Sequence, residues 1–337
     1  MSGFGNFIGP TCGADFPILT LNSVQTMRYA AFLSNVMGRR LPLAAAGAGL
    51  VVALGACKTE KNLLVPPPAE VSFGVPRRVE MRGYTGNLME PFLSRDGGRL
   101  FFNNLNSAPE NTNLHWATKV NDSTFQYQGE IAGVNTPDLE GVPTLDAANT
   151  LYFVSTRSYV STLSTIYRAT LAGGTATNVQ LVDGISRLEP GWVNFDVEVS
   201  ADGQQLYFVD GKLNSTGIPQ SADLVLAGKT PSGFARLPGS ASLLQNINTS
   251  ALEYAASIAS DGLSLYFTRV QVPLTATSTP EILVATRLTP TEPFGQPKRI
   301  ASITGFAEAP TIAPDGKRLY FHQKENNVFA LFMVSRK

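Results

Sequence analysis

The sequence is poor in the residues that most often carry catalysis or metal binding. It has two histidines, His115 and His322, and two cysteines, Cys12 and Cys57. Two cysteines cannot form the disulfide framework of a small secreted domain. The sequence also lacks Gly-x-Ser-x-Gly, which excludes an attached α/β-hydrolase domain. Because a histidine-based metal site or a Ser-His-Asp triad needs partners that the sequence does not identify, we predict no catalytic residue, metal ligand or cofactor.

Charge is also scarce. Charged residues make up 15% of the chain, with 26 basic and 26 acidic side chains, so we expect no nucleic-acid partner. Long amphipathic helical stretches are absent outside the N-terminus. Instead, 30 glycines and 22 prolines separate short runs that contain Tyr and Phe. This punctuation is typical of turns and short strands, and it predicts an all-β fold.

One uncharged apolar run, Leu41 to Ala56, follows Arg39 and Arg40. It is short for a membrane span and typical of the apolar core of a secretion signal. The run ends in Leu-Gly-Ala before Cys57, which resembles the lipobox of bacterial lipoproteins. That resemblance implies cleavage before Cys57 and attachment of lipid to its thiol. An ordinary signal peptide or a weak membrane helix is the alternative.

These features divide the chain into four parts. We predict an over-called start over residues 1–36, a signal peptide with a lipobox over 37–56, a tether over 57–71 and a folded domain over 72–337. Because the folded body is close to neutral, we expect it to be held at a membrane by the lipid on Cys57. The expected location is the cell envelope, in the outer membrane, facing the periplasm or the cell surface.

One motif recurs five times in the folded domain. Each copy has an aspartate followed by a Leu-Tyr-Phe-like triplet, and the aspartates are Asp96, Asp146, Asp202, Asp261 and Asp315. In four copies Gly follows Asp, which favours a tight hairpin turn. The second copy has Ala there, and we expect its turn to be longer. Because the triplet is apolar at consecutive positions, it predicts a strand that is buried on both faces.

Further strands follow each triplet, and the fourth strands are expected over 126–131, 178–182, 235–239 and 297–302. The fifth copy lacks a fourth strand. Phe73 to Val79 parallels Phe294 to Ile300, which is the fourth strand of copy four. We therefore expect residues 73–82 to complete the last unit and close a ring. The fold predicted is a five-bladed β-propeller, closed by an N-terminal strand and preceded by a lipoprotein signal peptide.

The repeats resemble those of the TolB-like, WD-repeat-like propeller family of bacterial envelopes. The hallmark of that family is Pro-x-x-Ser-x-Asp-Gly-x-x-Leu-x-Phe, as in Pro91 to Phe102 of the first copy. Copies two and four depart from it at the Gly and the Pro, respectively. The resemblance covers residues 73–337 and implies a periplasmic or envelope-facing binding protein.

Five acidic residues precede the repeated aspartates by six to eight positions: Glu90, Glu140, Asp196, Glu253 and Glu308. In a propeller they lie at the start of the innermost strands, near the mouth of the central channel. Five carboxylates there repel one another unless a cation or a basic group lies among them. One interpretation is a channel that binds a metal ion or a cationic ligand. The other, which we favour because repeats share residues for structural reasons, is that the five are solvated or cap loop amides.

Trp192 is the remaining candidate. It is expected in a loop that enters an inner strand, where it either stacks on a ligand or packs under the loop. Trp116 is expected in a strand and in the core.

Two functions fit these observations. The first is an envelope-anchored lipoprotein whose propeller binds a protein, peptide or glycan partner without catalysis, through polar loops over 211–222 and 270–280. The alternative is a glycoside-active propeller enzyme that uses two inner-strand carboxylates as acid and base or nucleophile. Against the enzyme, the five acidic positions look alike in sequence, whereas catalysis needs two carboxylates in unlike environments.

Overall fold

The computed structural model describes residues 71–106 and 111–337, and these are almost entirely β-structure. The signal peptide, Cys57 and nearly all of the tether lie outside the described residues. Two helices of four residues each occur, α1 (Tyr159–Thr162) and α2 (Ser240–Leu243). Within the described ranges, no helix is long and apolar enough to cross a membrane.

The strands fall into five consecutive groups that follow the five sequence repeats. We call these groups units 1 to 5. Two strands precede unit 1, namely β1 (Arg77–Arg78) and β2 (Glu80–Arg82). Unit 1 contains β3 (Met89–Leu93), β4 (Arg99–Asn103), β5 (Leu114–Asn121) and β6 (Thr124–Glu130), and unit 2 contains β7 (Glu140–Leu145), β8 (Thr150–Ser155), β9 (Ile166–Ala172) and β10 (Thr175–Leu181). Unit 3 contains β11 (Trp192–Val193), β12 (Val197–Val199), β13 (Gln205–Leu213), β14 (Pro219–Thr230) and β15 (Gly233–Arg236); unit 4 contains β16 (Leu252–Ile258), β17 (Ser264–Val270), β18 (Glu281–Thr286) and β19 (Lys298–Arg299); and unit 5 contains β20 (Ala307–Ile312), β21 (Arg318–Glu325) and β22 (Val328–Ser335).

Apolar contacts between neighbouring units form the core. The Leu-Tyr-Phe triplets are fully buried, as their consecutive apolar residues predict. In one cluster, Phe101 of unit 1 packs with Leu151 and Phe153 of unit 2. In the next, Tyr152 of unit 2 packs with Phe208 of unit 3. Each triplet therefore contacts the sheets on both of its sides.

The turn of unit 2 is shorter than those of the other units, so the expected longer turn was wrong. Four residues separate β7 from β8, whereas five separate β3 from β4. Asp146 takes the place of Ser94, and its Oδ1 accepts hydrogen bonds from the amides of Ala148 and Thr150. Asn149 then adopts the left-handed φ of 61°, which asparagine tolerates better than most residues.

The segment before β3 joins the first and last units. Arg77 and Arg78 pair antiparallel with β22, so this part completes unit 5 as expected. Residues 80–82 instead pair parallel with β6 of unit 1, which corrects the expectation that all of 73–82 belongs to the last unit. The chain crosses between the two sheets at Val79, whose side chain is buried in the contact between units 1 and 5.

Units 3 and 4 are joined by one parallel bridge between Ala222 and Leu252, so they form a single nine-stranded sheet. The segment expected as a loop over 211–222 lies largely in the long β13–β14 hairpin, where only residues 214–218 turn. Residues 271–280 do connect two strands.

Candidate functional site

The innermost strands of the five units surround one narrow cavity. One residue of each unit lines this cavity at an equivalent position: Glu90, Val142, Asp196, Ala255 and Ala309. Each lies two residues before the one that pairs with the middle aromatic residue of its unit's triplet. Four of them have a left-handed φ between 47° and 54°, and the strand register shifts there. In unit 3 the short β12 begins directly after Asp196. The cavity offers about 20 Å³ to water, which is room for roughly one molecule.

Of the five predicted carboxylates, Glu90 and Asp196 line this cavity, and the expected ring of five does not form. The cavity position lies six residues before the turn aspartate in units 1, 3, 4 and 5, whereas Glu308 and Glu253 lie seven and eight residues before theirs. In unit 2 the aspartate itself is displaced, because Asp146 takes the place of Ser94. Glu140 and Glu253 lie two residues before the bulge, and Glu308 lies one residue before it. A side chain so displaced points in a different direction from one at the bulge.

Glu140 and Glu253 share a threonine and an arginine partner in units 2 and 4, and Glu140 also accepts the Ser155 hydroxyl at 2.7 Å. Each accepts hydrogen bonds from the amide and hydroxyl of a threonine four residues earlier. Each also pairs with an arginine, Arg157 at 3.1 Å and Arg269 at 2.7 Å. Both carboxylates are buried and already have a cationic partner, so they act as structural ion pairs.

Glu308 is buried behind the cavity wall. The hydroxyl of Tyr254 donates to its Oε1, and Nε2 of His322 lies 3.3 Å from its Oε2. Nδ1 of His322 accepts the backbone N–H of Glu90 at 3.1 Å, which places the ring proton on Nε2. A hydrogen-bonded chain therefore runs from unit 4 through unit 5 to Glu90 in unit 1.

The position of His322 has the same role in other units. Asn103 of unit 1 accepts the amide of Val142 at 3.0 Å, and Thr268 of unit 4 accepts that of Ala309 at 3.1 Å. Each pairing satisfies a buried amide at a bulge with a side chain of the preceding unit. The role of His322 in the fold is therefore to accept the backbone N–H of Glu90. The second histidine, His115, lies away from the cavity, where its Nδ1 contacts the Tyr127 hydroxyl at 2.9 Å.

The two cavity carboxyls have unlike environments. Burial, and then the charge of Glu90, raise the pKa of Asp196 well above its ordinary value of 3.8. Its Oδ1 is buried without a hydrogen-bond partner. Burial also raises the pKa of Glu90, but the side-chain amide of Asn106, which donates to Glu90 Oε1 at 2.8 Å, opposes this effect. Glu90 is therefore better able than Asp196 to hold a negative charge.

A buried ion pair lies toward the turn end of the cavity, and sequence reasoning missed it. Arg95 reaches across from unit 1, donating to the Leu145 carbonyl at 2.9 Å and to that of Val199, and it pairs with Glu198 at 3.1 Å. Thr144 donates to the other oxygen of Glu198 at 2.6 Å. In the sequence, the one indication of this ion pair is Arg95, a large cation at the variable position of the Ser-x-Asp-Gly turn. These contacts leave the end at Glu90 and Asp196 for a ligand.

Trp192 lies in β11, paired with β13, and not in a loop as expected. It does not line the cavity. The Arg187 guanidinium is 4.0 Å from its ring centroid and the Lys212 ammonium is 5.2 Å away. The ring therefore packs against two cations.

Within residues 71–106 and 111–337, no group of three or more His, Cys, Asp and Glu side chains is arranged to hold a metal ion.

No protein-family model matches this chain, and no curated protein matches it. Solved structures do match. A glycoside hydrolase is 10% identical with a TM-score of 0.53, over 79% of this chain and 92% of that one. A family 117 glycoside hydrolase from the marine bacterium Zobellia galactanivorans is also 10% identical, with a TM-score of 0.51 over 79% and 90%.

TolB from Acinetobacter baumannii is 14% identical with a TM-score of 0.42 over 75% of this chain, which spans only 55% of that one. At such low identity the two hydrolases show the fold alone. The chain has an all-β, β-propeller-like fold.

Proposed function

We propose that this protein is a five-bladed propeller that hydrolyses glycosidic bonds at the Glu90 end of its central cavity. The observation that carries the proposal is that Glu90 and Asp196, from the inner strands of two units, line one cavity in unlike environments. This removes the objection that the acidic positions look alike. The activity named for the two structural neighbours also supports it.

The division of roles follows from the contacts. Asp196 has an unpartnered oxygen and lies near two other carboxylates, so it is the group that holds a proton and acts as general acid. Glu90, which accepts a hydrogen bond from Asn106, is the ionised base or nucleophile. Because the cavity holds roughly one water, the sugar lies across its opening, with the scissile bond toward the carboxyls.

A second candidate is a lipoprotein of the TolB-like propeller type that binds an envelope protein, peptide or glycan without catalysis. The observation that favours it is the burial of both carboxyls, of which Glu90 is 7% and Asp196 5% exposed. In both candidates we propose a lipid anchor on Cys57, the predicted domain boundaries and a location in the cell envelope.

A hydrolysis screen over chromogenic glycosides and envelope polysaccharides separates the two candidates. We expect Glu90→Gln and Asp196→Asn to lower kcat by about 10²-fold or more, with the fold retained by circular dichroism. Glu292→Gln, at an exposed site, is the matched control and keeps full activity. Unchanged turnover in both cavity variants overturns the proposed reaction. Binding of a partner by the wild-type chain without any hydrolysis favours the second candidate.

A further inference from the structure

Four of the eight buried carboxyls among the described residues are neutralised by arginine. Among the described residues, those with an arginine partner are Glu140, Glu198, Asp210 and Glu253. Asp146 is held by turn amides. The buried carboxyls that follow neither pattern are Glu90, Asp196 and Glu308.

These three carboxyls interact with one another. Glu308 acts on Glu90, and both act on Asp196, which places all three in one electrostatic cluster. The side chains that contact the cluster are Tyr254, His322 and Asn106. His322 is neutral in the tautomer that its hydrogen bonds require. The arginine that accompanies four of the other five buried acids is therefore missing here.

Asp196 supplies an independent indication of a ligand. Its side chain is more than nine-tenths buried, lines the cavity, and leaves Oδ1 without a partner. A buried acceptor without a donor is costly and rare. The cavity that the Asp196 side chain lines has room for roughly one water molecule. A group that fits must therefore be small, donate hydrogen bonds and carry positive charge.

A primary ammonium meets these requirements better than a metal ion. It offers three N–H donors, and its charge-assisted bonds to carboxylates are about 2.7–2.9 Å long. A hard cation needs several oxygens at about 2.0–2.6 Å, and the described residues form no such group. The narrow cavity also favours an ammonium at the end of a slim methylene stem over one attached directly to a ring.

We infer that Asp196 and Glu90 bind the ammonium group of a lysine side chain, presented by a peptide partner at the opening of the cavity. The lysine would supply the cation that arginine provides at four of the other buried acids. This goes beyond the proposed function, because an ammonium between the two carboxyls holds both ionised. A lysine peptide would therefore act as an inhibitor that removes the general acid.

The test is calorimetric titration of the full chain with acetyl-Gly-Lys-Gly-amide and with the same peptide acetylated at the lysine Nε. We expect the charged peptide to bind at least about tenfold more tightly, equivalent to 1.4 kcal/mol. Asp196→Asn should abolish this preference, and Glu292→Gln should keep it. Glu90→Gln is the second variant, so that poor folding of one variant does not leave the inference untested.

Equal binding of the two peptides overturns the inference, as does a preference that survives in both cavity variants. Binding of glucosamine but not of the lysine peptide also overturns it, because the ammonium would then belong to a sugar. The proposed hydrolysis is judged separately by turnover of uncharged sugars, which does not depend on either peptide.

Discussion

At the scale of single residues, Asp196 is the buried carboxyl on which the proposed site depends. It is an acid with a raised pKa, placed where the other units have Glu90, Val142, Ala255 and Ala309. The folded protein therefore binds a proton at this site over a pH range in which the unfolded chain has lost it. By linkage, this proton adds stability below the ordinary pKa of 3.8, and the stability is lost as the pH rises through the folded value.

We therefore expect Asp196→Asn to flatten the dependence of stability on pH. In the wild type, loss of the Asp196 proton lowers the free energy of unfolding by up to about 1.4 kcal/mol for each pH unit by which the pH rises between the ordinary and the folded pKa. The variant cannot titrate there, so its stability should fall less as the pH rises above the ordinary value of 3.8. Urea unfolding over a series of pH values above 3.8 measures the difference. Glu292→Gln is the control, and an unchanged slope in Asp196→Asn would contradict the assignment.

At the scale of elements, neighbouring inner strands are fastened by side-chain hydrogen bonds at a repeated position. Hydroxyls of Thr144, Ser257 and Thr311 each accept an amide of the following unit. Unit 1 has Phe92 at this position, which cannot accept. Arg95 instead reaches units 2 and 3, where it contacts backbone carbonyls and Glu198. The ion pair therefore replaces a missing contact between strands.

Removing Arg95 should be strongly destabilising, because it leaves Glu198 buried without its partner. We expect Arg95→Ala to lower the free energy of unfolding by about 3–5 kcal/mol. The double variant Arg95→Ala/Glu198→Gln should recover part of this loss, since the unpaired charge is then gone. Chemical denaturation measures each value. Arg82→Ala removes an exposed pair with Glu80 and should leave stability nearly unchanged, because solvent screens such a pair. Equal effects of Arg95→Ala and Arg82→Ala would refute this account.

At the scale of the whole molecule, the two ends of the described domain are held together by one short segment. β1 adds to the last unit and β2 to the first, while Phe73 and Val79 are buried between sheets. Without this segment, the outer edge of β22 has unpaired backbone groups. Such an edge favours pairing with other chains.

Deleting residues 71–82 should therefore destabilise the domain and promote association. Loss of the buried Phe73 and Val79 side chains alone removes about 3–6 kcal/mol. Thermal unfolding should show a lower Tm, and size-exclusion chromatography should show larger species. The comparison is a chain that begins at Val71 and keeps β1 and β2. If both chains are equally stable and monomeric, the segment does not close the molecule.

Much of the fold could be predicted because its signals are local. The Leu-Tyr-Phe triplets showed where strands are buried on both faces, and Asp-Gly showed four of the five turns. The likeness between Phe73–Val79 and Phe294–Ile300 indicated that a distant segment completes the last unit. Prediction failed in unit 2, where Asp146 aligns with the other aspartates by residue type but occupies the place of Ser94.

The candidate site could be predicted only in part. The sequence by itself determined the repeat, the buried strands and a set of acidic residues near the start of each inner strand, because these depend on residue type and short spacing. Tertiary structure alone decided which acids share the cavity. A bulge of one residue changes the direction of the side chains beside it, so Glu90 and Asp196 face the cavity while Glu140 and Glu253 face arginines. It also brought Arg95 to Glu198, 103 residues away, since only the arrangement of the sheets around a common centre makes these residues neighbours.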